Sequence, residues 1–166
     1  MSAFVIRPAT EADRAAIRAV EEAAFGQADE ARLVEALVAA GDVVLELVAE
    51  TSEGVIGHVL FSRLFVEGDG DRFAAVALAP VAVLPERQGT GVGRALIEEG
   101  HMRLQQAGER LSVVLGDPAY YGRLGYDHGR ARGFDGDYQC DALQARAWGE
   151  APETGRLVYA PAFSGL

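Results

Sequence analysis

Glycines alternate at positions 89, 91 and 93 in the stretch Val81-Ala82-Val83-Leu84-Pro85-Glu86-Arg87-Gln88-Gly89-Thr90-Gly91-Val92-Gly93-Arg94-Ala95-Leu96-Ile97. Without Cβ atoms the backbone there can bend tightly and come close to a ligand. The apolar run before the glycines reads as a strand, Pro85 helps to set a turn, and the run after them reads as an amphipathic helix. The loop N–H groups then sit at a helix start, where the first turn has no internal acceptors and an anion, usually phosphate, is favoured. The chemistry that follows is the holding of a phosphorylated cofactor. Two familiar phosphate loops fit poorly. A P-loop carries Lys-Ser/Thr after its last glycine, and here Arg94-Ala95 follows Gly93. A dinucleotide fingerprint needs a third glycine at the sixth position, and counting from Gly89 that residue is Arg94.

A second segment carries chemistry in its order. Leu111-Ser112-Val113-Val114-Leu115-Gly116 is a short apolar strand. Asp117-Pro118 then offers a helix N-cap and a proline at the first helical position. Tyr120-Tyr121-Gly122-Arg123-Leu124-Gly125-Tyr126 follows.

The elements that must position these segments can be read from periodicity. Phe4 to Arg7 reads as a strand, and Thr10 with Asp13 caps a helix over roughly 11–24 with Ile17, Val20 and Ala24 on one face. Asp29 to Ala40 reads as a second helix stopped by Gly41, with Val34, Leu37 and Val38 inward. Val43 to Glu50 and Val55 to Val66 read as strands joined at Ser52-Glu53-Gly54, and Phe73 to Leu84 as a long buried strand. Pro80 cannot donate to a sheet ladder, so that strand should be bulged or splayed there. A third helix runs from about Thr90 to Ala107, with Gly93, Leu96, Ile97, Gly100 and Leu104 inward. Toward the C-terminus, Phe134 to Tyr138 and Leu157 to Tyr159 read as strands and Asp141 to Trp148 as a short helix. This order predicts an α/β fold of the α+β type, with a mixed, mostly antiparallel central sheet, helices on both faces, and residues 1–166 forming a single domain.

The pattern Gln88-Gly89-Thr90-Gly91-Val92-Gly93 resembles the acetyl-coenzyme A loop of the GNAT superfamily of N-acetyltransferases, written Gln/Arg-x-x-Gly-x-Gly/Ala. Tyr120 to Tyr126 resembles the family element Phe-Tyr-x-x-Leu-Gly-Phe, at the expected distance after the loop. The opening Ile6-Arg7-Pro8-Ala9-Thr10 with Asp13 is similar to the start of such domains. The Leu78-to-Val83 strand and the ending Gly155 to Phe163 look like the bacterial branch typified by YhbS.

The resemblance implies a division of labour. Backbone N–H groups of Gln88, Gly89, Thr90, Gly91, Val92, Gly93 and Arg94 would hold the diphosphate of acetyl-coenzyme A, with Arg87 and Arg94 adding charge. The pantetheine arm would pair with the backbone of Val81, Ala82 and Val83, just past the bulge, and an N–H there would polarise the thioester carbonyl. Tyr121 aligns with the tyrosine that protonates the departing sulfur, a role suited to a phenol that is neutral at pH 7. Tyr120 matches the preceding, packing aromatic. An Asn common a few residues earlier in the family is replaced here by Gly116-Asp117-Pro118. Candidates for the base that frees the amine are Glu21, Glu22, Glu46, Glu50 and His58, and no spacing singles one out. His58, mid-strand among apolar residues, reads first as a satisfied buried histidine.

A formal charge of −10 disfavours nucleic acid and anionic membranes as partners and suits an amine substrate. Cys140 is the only cysteine, so no internal disulfide or four-cysteine metal site forms, and a reducing cytoplasm is the natural home. The N-terminus lacks the basic and apolar regions of a signal peptide, and no apolar run is long enough to span a bilayer. The expected function is acetyl-coenzyme A-dependent N-acetyl transfer, without a metal, to a primary amine of a small molecule, polyamine or protein N-terminus; a homodimer is compatible with this. The alternative is a non-catalytic coenzyme A- or acyl-coenzyme A-binding sensor module of the same fold.

Overall fold

The computed structural model of the protein describes residues 3–165. Strand β1 (Val5–Pro8) leads through a single 3-10 turn (Glu11–Asp13) into helix α1 (Arg14–Phe25). The turn is held as the sequence suggests. The Asp13 carboxylate accepts from the Thr10 N–H at 2.8 Å and from the Arg7 guanidinium at 2.8 and 2.9 Å. Helix α2 (Asp29–Ala40) follows after Gly26, and Gly26 and Gly41 end the two helices in the left-handed conformation that glycine adopts without steric cost.

Strands β2 (Val43–Thr51), β3 (Gly54–Glu67) and β4 (Arg72–Val83) form an antiparallel meander. Helix α3 (Val92–Gln106) then crosses over to β5 (Leu111–Leu115), which runs parallel to β4. Short helices α4 (Pro118–Gly122) and α5 (His128–Ala131) lead to β6 (Phe134–Asp135), β7 (Leu143–Ala147) and β8 (Gly155–Val158). The sheet order is β1-β2-β3-β4-β5-β7, with β8 pairing both β3 and β6. β8 occupies the end of β3 that lies past the reach of β2, aligning Val158, Leu157 and Arg156 with Phe65, Val66 and Glu67.

Strand alternation sends side chains to two faces. Leu47, Ala49, Val59 and Phe61 pack with Leu96, Ile97 and Leu104 of α3. Val48 and Leu60 pack on the other face with Ile17 of α1 and Leu33, Val34 and Leu37 of α2. Helices therefore cover both faces of a mixed, mostly antiparallel sheet. α3 lies close to that sheet because Gly100 faces Phe61, where a Cβ would fall 2.5 Å from the ring. No helix among the described residues is long and apolar enough to cross a membrane.

The expected helix over Asp141 to Trp148 is instead strand β7. Its alanines favour a helix locally, yet pairing from Leu111↔Ala147 to Leu115↔Leu143 overrides that preference. Gln144 is tolerated in the buried strand because its amide donates to the Gly116 and Ala142 carbonyls, both at 3.1 Å.

Candidate active site

Two strands that begin side by side and then part create the site. β4 and β5 pair only at Val76↔Ser112 and Ala77↔Val113. Past that point β4 keeps its pairing with β3 through Val83, and among the described residues its other edge has no strand partner. The β3–β4 register also slips here: Val59 faces Val81 while Phe61 faces Leu78, so β4 carries one extra residue around Ala79-Pro80. The bulge expected from Pro80 is present. The Leu84 N–H donates to Ile56 O of β3 at 2.9 Å, so by alternation Val81 and Val83 turn their peptide groups to the open edge. The Gln88 side-chain amide donates to the Val83 carbonyl at 3.0 Å, on that edge.

The glycine loop closes the far end of the open edge. Gly89 and Gly91 both have left-handed backbones, with φ of 76° and 91°. Thr90 Oγ donates to Arg87 O at 2.5 Å and pins the turn. The first helical bond of α3 runs from the Ala95 N–H to Gly91 O, so the N–H groups of Val92, Gly93 and Arg94 lie ahead of the ladder. Val92 itself is buried in the core and seats the helix start against Gly57. Val83, Arg87, Gln88, Gly89, Gly91, Val92, Gly93, Arg94 and Tyr120 enclose a cavity of about 230 Å³. These residues fit a diphosphate: several N–H donors at a helix N-terminus, two arginines, and glycines that keep side chains out of the way.

A second cavity, of about 380 Å³, fills the gap between β4 and β5. The strands supply Ala77 to Val81, Val113 and Leu115, and Tyr121 projects from α4. The rest of the wall comes from Phe25, Glu30 and Leu33 of the α1–α2 region and from Tyr138, Tyr159 and Phe163 near the C-terminus. α4 is held by the Asp117 carboxylate, which accepts from the Ala119 N–H at 3.0 Å, with Pro118 in the first turn. The Tyr121 ring lies against Gly116, where a Cβ would come within 2.5 Å of Cε2. Burial first, and the neighbouring Tyr120 phenol second, push the Tyr121 hydroxyl up to about 12. Tyr126 is the satisfied tyrosine of this segment, with its hydroxyl 2.9 Å from His101 Nε2 and 2.8 Å from Ser112 Oγ.

The residues singled out by sequence thus fall around β4 and its two cavities. Val81 and Tyr121 line the larger, Val83 and the loop line the smaller, and Ala82 is buried between them. Tyr120 does more than pack, since its hydroxyl stands 3.0 Å from where a Gly93 Cβ would be.

The five candidate bases are not brought to the cavity. His58 is fully buried between two carboxylates, with Nδ1 2.6 Å from Glu21 and Nε2 2.7 Å from Glu46. Glu46 also accepts from Arg14 at 2.5 Å. Burial alone would lower the His58 pKa, but the two carboxylates reverse this and raise it. Burial raises Glu21 against the opposing pull of His58, while Glu46 is lowered because His58 and Arg14 outweigh its burial. Glu50 is paired with Arg7 and Glu22 with Arg18. The acidic residue that does line the cavity is Glu30, one turn before Val34 on the inward face of α2, a place where the sequence marks no candidate. Among the described residues no cluster of His, Cys, Asp or Glu is arranged to hold a metal ion.

The sequence pattern of the family described as Acetyltransferase (GNAT) domain matches residues 5–129. The chain is 38% identical over 126 residues to the uncharacterised N-acetyltransferase YjhQ of Escherichia coli K12, covering 75% of this chain and 70% of that protein. It is 39% identical over 125 residues to the uncharacterised N-acetyltransferase YhbS of the same strain, covering 75% and 74%. A GNAT family acetyltransferase from Brucella melitensis, crystallised with acetyl-CoA, superposes with a TM-score of 0.83 at 37% identity, over 98% of this chain and 99% of that one. The crystal structure of E. coli YhbS with CoA superposes with a TM-score of 0.89 at 33% identity, over 99% and 93%.

Proposed function

The chain belongs to the GNAT acetyltransferase family, and we propose on that premise that it is a single-domain, cytoplasmic N-acetyltransferase using acetyl-coenzyme A. Its acceptor is a primary amine of a small molecule or a protein N-terminus. One observation carries the reading: β4 serves both cavities, with Val83 at the phosphate-sized one and Val81 at the one that holds Tyr121. A cofactor with a diphosphate at one end and a thioester at the other spans such a pair of sites. The Brucella protein and YhbS, crystallised with acetyl-CoA and CoA, support it.

Bound acetyl-coenzyme A supplies an acetyl group activated as a thioester. The chain's own residues do the rest. The N–H groups of Val92, Gly93 and Arg94, with Arg87, hold the diphosphate. The peptide groups of Val81 and Val83 pair with the arm, and an N–H on this edge meets the negative charge that develops on the carbonyl oxygen. The amine nitrogen bonds to the carbonyl carbon as the carbon–sulfur bond breaks. Tyr121 gives its proton to the leaving sulfur, and the proton lost by the nitrogen restores the phenol. With its hydroxyl pushed up to about 12, Tyr121 still carries that proton at neutral pH.

Thermal melting with and without acetyl-coenzyme A, followed by thiol release with a panel of amines, tests this reading. At a ligand concentration 100 times Kd, mass action adds about 2.7 kcal/mol of stability, and NADH and ATP should not reproduce the shift. A melting curve unmoved by millimolar acetyl-coenzyme A would falsify the proposal. Binding without thiol release for any amine would instead leave an acyl-coenzyme A sensor.

A further inference from the structure

We infer that the acceptor is a small primary amine carried on a flat, apolar body and recruited as its ammonium at Glu30. One ammonium proton passes to water at the open rim before the neutral nitrogen attacks, and the second restores the Tyr121 phenol. The inference rests on the N-acetyltransferase reading of the larger cavity.

Glu30 is the sole acidic group among the described residues that line this cavity, and no arginine or histidine joins it there. The Gln27 side-chain amide donates to its two oxygens at 3.1 and 3.3 Å. That contact orients the carboxylate without neutralising it, because an amide carries no charge. One fixed negative charge therefore faces walls that are otherwise apolar or phenolic. A single ammonium is matched by this arrangement. A polyamine would bring further charges into apolar surroundings with nothing to pair them.

The walls define what carries the amine. Tyr138 and Tyr159 meet edge to face at 5.1 Å and 87°, and Tyr159 and Phe163 at 5.4 Å and 61°. Leu33 and the β4 bulge complete an apolar slot suited to a flat body. Phe25 ends α1 at the rim and is 42% exposed, a large ring that a bound apolar group would cover. The left-handed Gly26 reverses the chain here, which puts Phe25 and Glu30 on the same rim. A cavity of about 380 Å³ is of small-molecule size, and the reacting end of the thioester takes part of it. A peptide would have to bring its own N–H and C=O groups in with it, against a wall offering one carboxylate and three phenols as polar side-chain partners. Tyr138, Tyr159 and Phe163 also lie beyond residue 129, where the family pattern ends, so this wall is not part of what the family match specifies.

The test uses the whole chain saturated with CoA, into which 2-phenylethylamine, spermidine and a phenylalanine-led tripeptide amide are titrated calorimetrically. The same amines are assayed for thiol release from acetyl-coenzyme A. 2-Phenylethylamine should bind at least ten-fold more tightly than the other two. Glu30→Gln should weaken it by roughly 10- to 100-fold, the range for losing a hydrogen bond to a charged group, while CoA affinity stays unchanged. Phe25→Ala should weaken 2-phenylethylamine but not ethylamine. Tighter binding of spermidine or the peptide, indifference to Glu30→Gln, or no amine binding would overturn the inference. Thiol release with other acceptors would still support the transferase reading in those cases. Amine binding that depends on Glu30, without thiol release, would overturn the transferase reading and leave the amine site standing.

Discussion

Tyr120 and Tyr121 stand edge to face, with ring centroids 4.9 Å apart and planes at 87°. The crossed rings send neighbouring phenols to different cavities, Tyr120 to the glycine loop and Tyr121 to the gap between β4 and β5. Two residues of similar chemistry are thereby given separable roles, and single-atom substitutions can tell them apart.

Tyr121→Phe removes one oxygen and almost no volume. The rate of acetyl transfer should fall about 10²–10⁴-fold, with acetyl-coenzyme A affinity nearly unchanged. Tyr120→Phe should instead alter cofactor affinity, with a milder effect on kcat. Because the Tyr121 hydroxyl is pushed up to about 12, it stays protonated across the ordinary assay range. Wild-type rate should therefore rise with pH as the amine loses its proton, with no alkaline fall until the approach to that value. Equal turnover by wild type and Tyr121→Phe would remove this phenol from the mechanism.

Gly116→Ala tests the same group without touching it. The Gly116 N–H donates to Ala142 O at 3.1 Å and its carbonyl accepts from Gln144 at 3.1 Å, so the backbone is held from both sides. An added methyl, 2.5 Å from Tyr121 Cε2, must then move the ring. Stability should drop by about 1–3 kcal/mol, the usual range for overpacking. kcat should fall at least ten-fold, read by thiol release at saturating acetyl-coenzyme A. In a Tyr121→Phe background the same alanine should cost little further rate, and an additive loss would refute the positioning role.

Gly93→Ala places a methyl 3.0 Å from the Tyr120 hydroxyl. Calorimetry should show weaker acetyl-coenzyme A binding for the single variant. Combining it with Tyr120→Phe, which removes the clashing oxygen, should recover part of the loss. A double-mutant cycle with no coupling would mean that the two groups do not share the loop cavity.

Stability against acid should depend on His101. Its Nδ1 accepts from Arg146 at 3.0 Å, so Nε2 carries the proton and donates to Tyr126 at 2.9 Å. Burial first, and the Arg146 charge second, lower its pKa to about 4. The unfolded chain takes up this proton near pH 6.5 and the folded chain only near 4, so stability rises with pH between them. Acidification across that window should cost about 3 kcal/mol through this residue. His58 has the opposite sign: its pKa is raised, so its contribution is complete below pH 6.5 and is lost as pH climbs through the folded value. Urea melts of His101→Gln from pH 4 to 7 should show a shallower acid slope than wild type, and an unchanged slope would count against the assignment.

The elements that position the cofactor half were legible because each rests on local chemistry. Pro80 announces the bulge, Gly91 the left-handed entry to α3, and Asp117-Pro118 the start of α4. The acceptor half was not legible. Glu30 shares the inward face of α2 with Val34 and Leu37, but what it faces is decided only when β8 docks on β3 and brings the segment after it to the cavity. The five candidate bases stay unranked for a related reason. His58 reads from its apolar neighbours as a satisfied buried histidine, and so it is, but spacing does not reveal that Glu21 and Glu46 are the carboxylates that satisfy it. β7 was misread because alanine-rich composition speaks for a helix and only pairing with β5 decides otherwise.

The docking of β8 beside β3 has a consequence for how such a protein can diversify. On the roles proposed above, the thioester-handling parts come from one continuous stretch, β4 through α4, whereas the opposite wall comes from the α1–α2 region, from Tyr138 between β6 and β7, and from Tyr159 and Phe163 after β8. Substitutions at Phe25, Tyr138, Tyr159 or Phe163 can reshape what enters without moving the loop, the open edge or Tyr121. Selection can then act on acceptor choice and on acyl chemistry as nearly independent traits, and a descendant with a new substrate need not relearn how to break the carbon–sulfur bond.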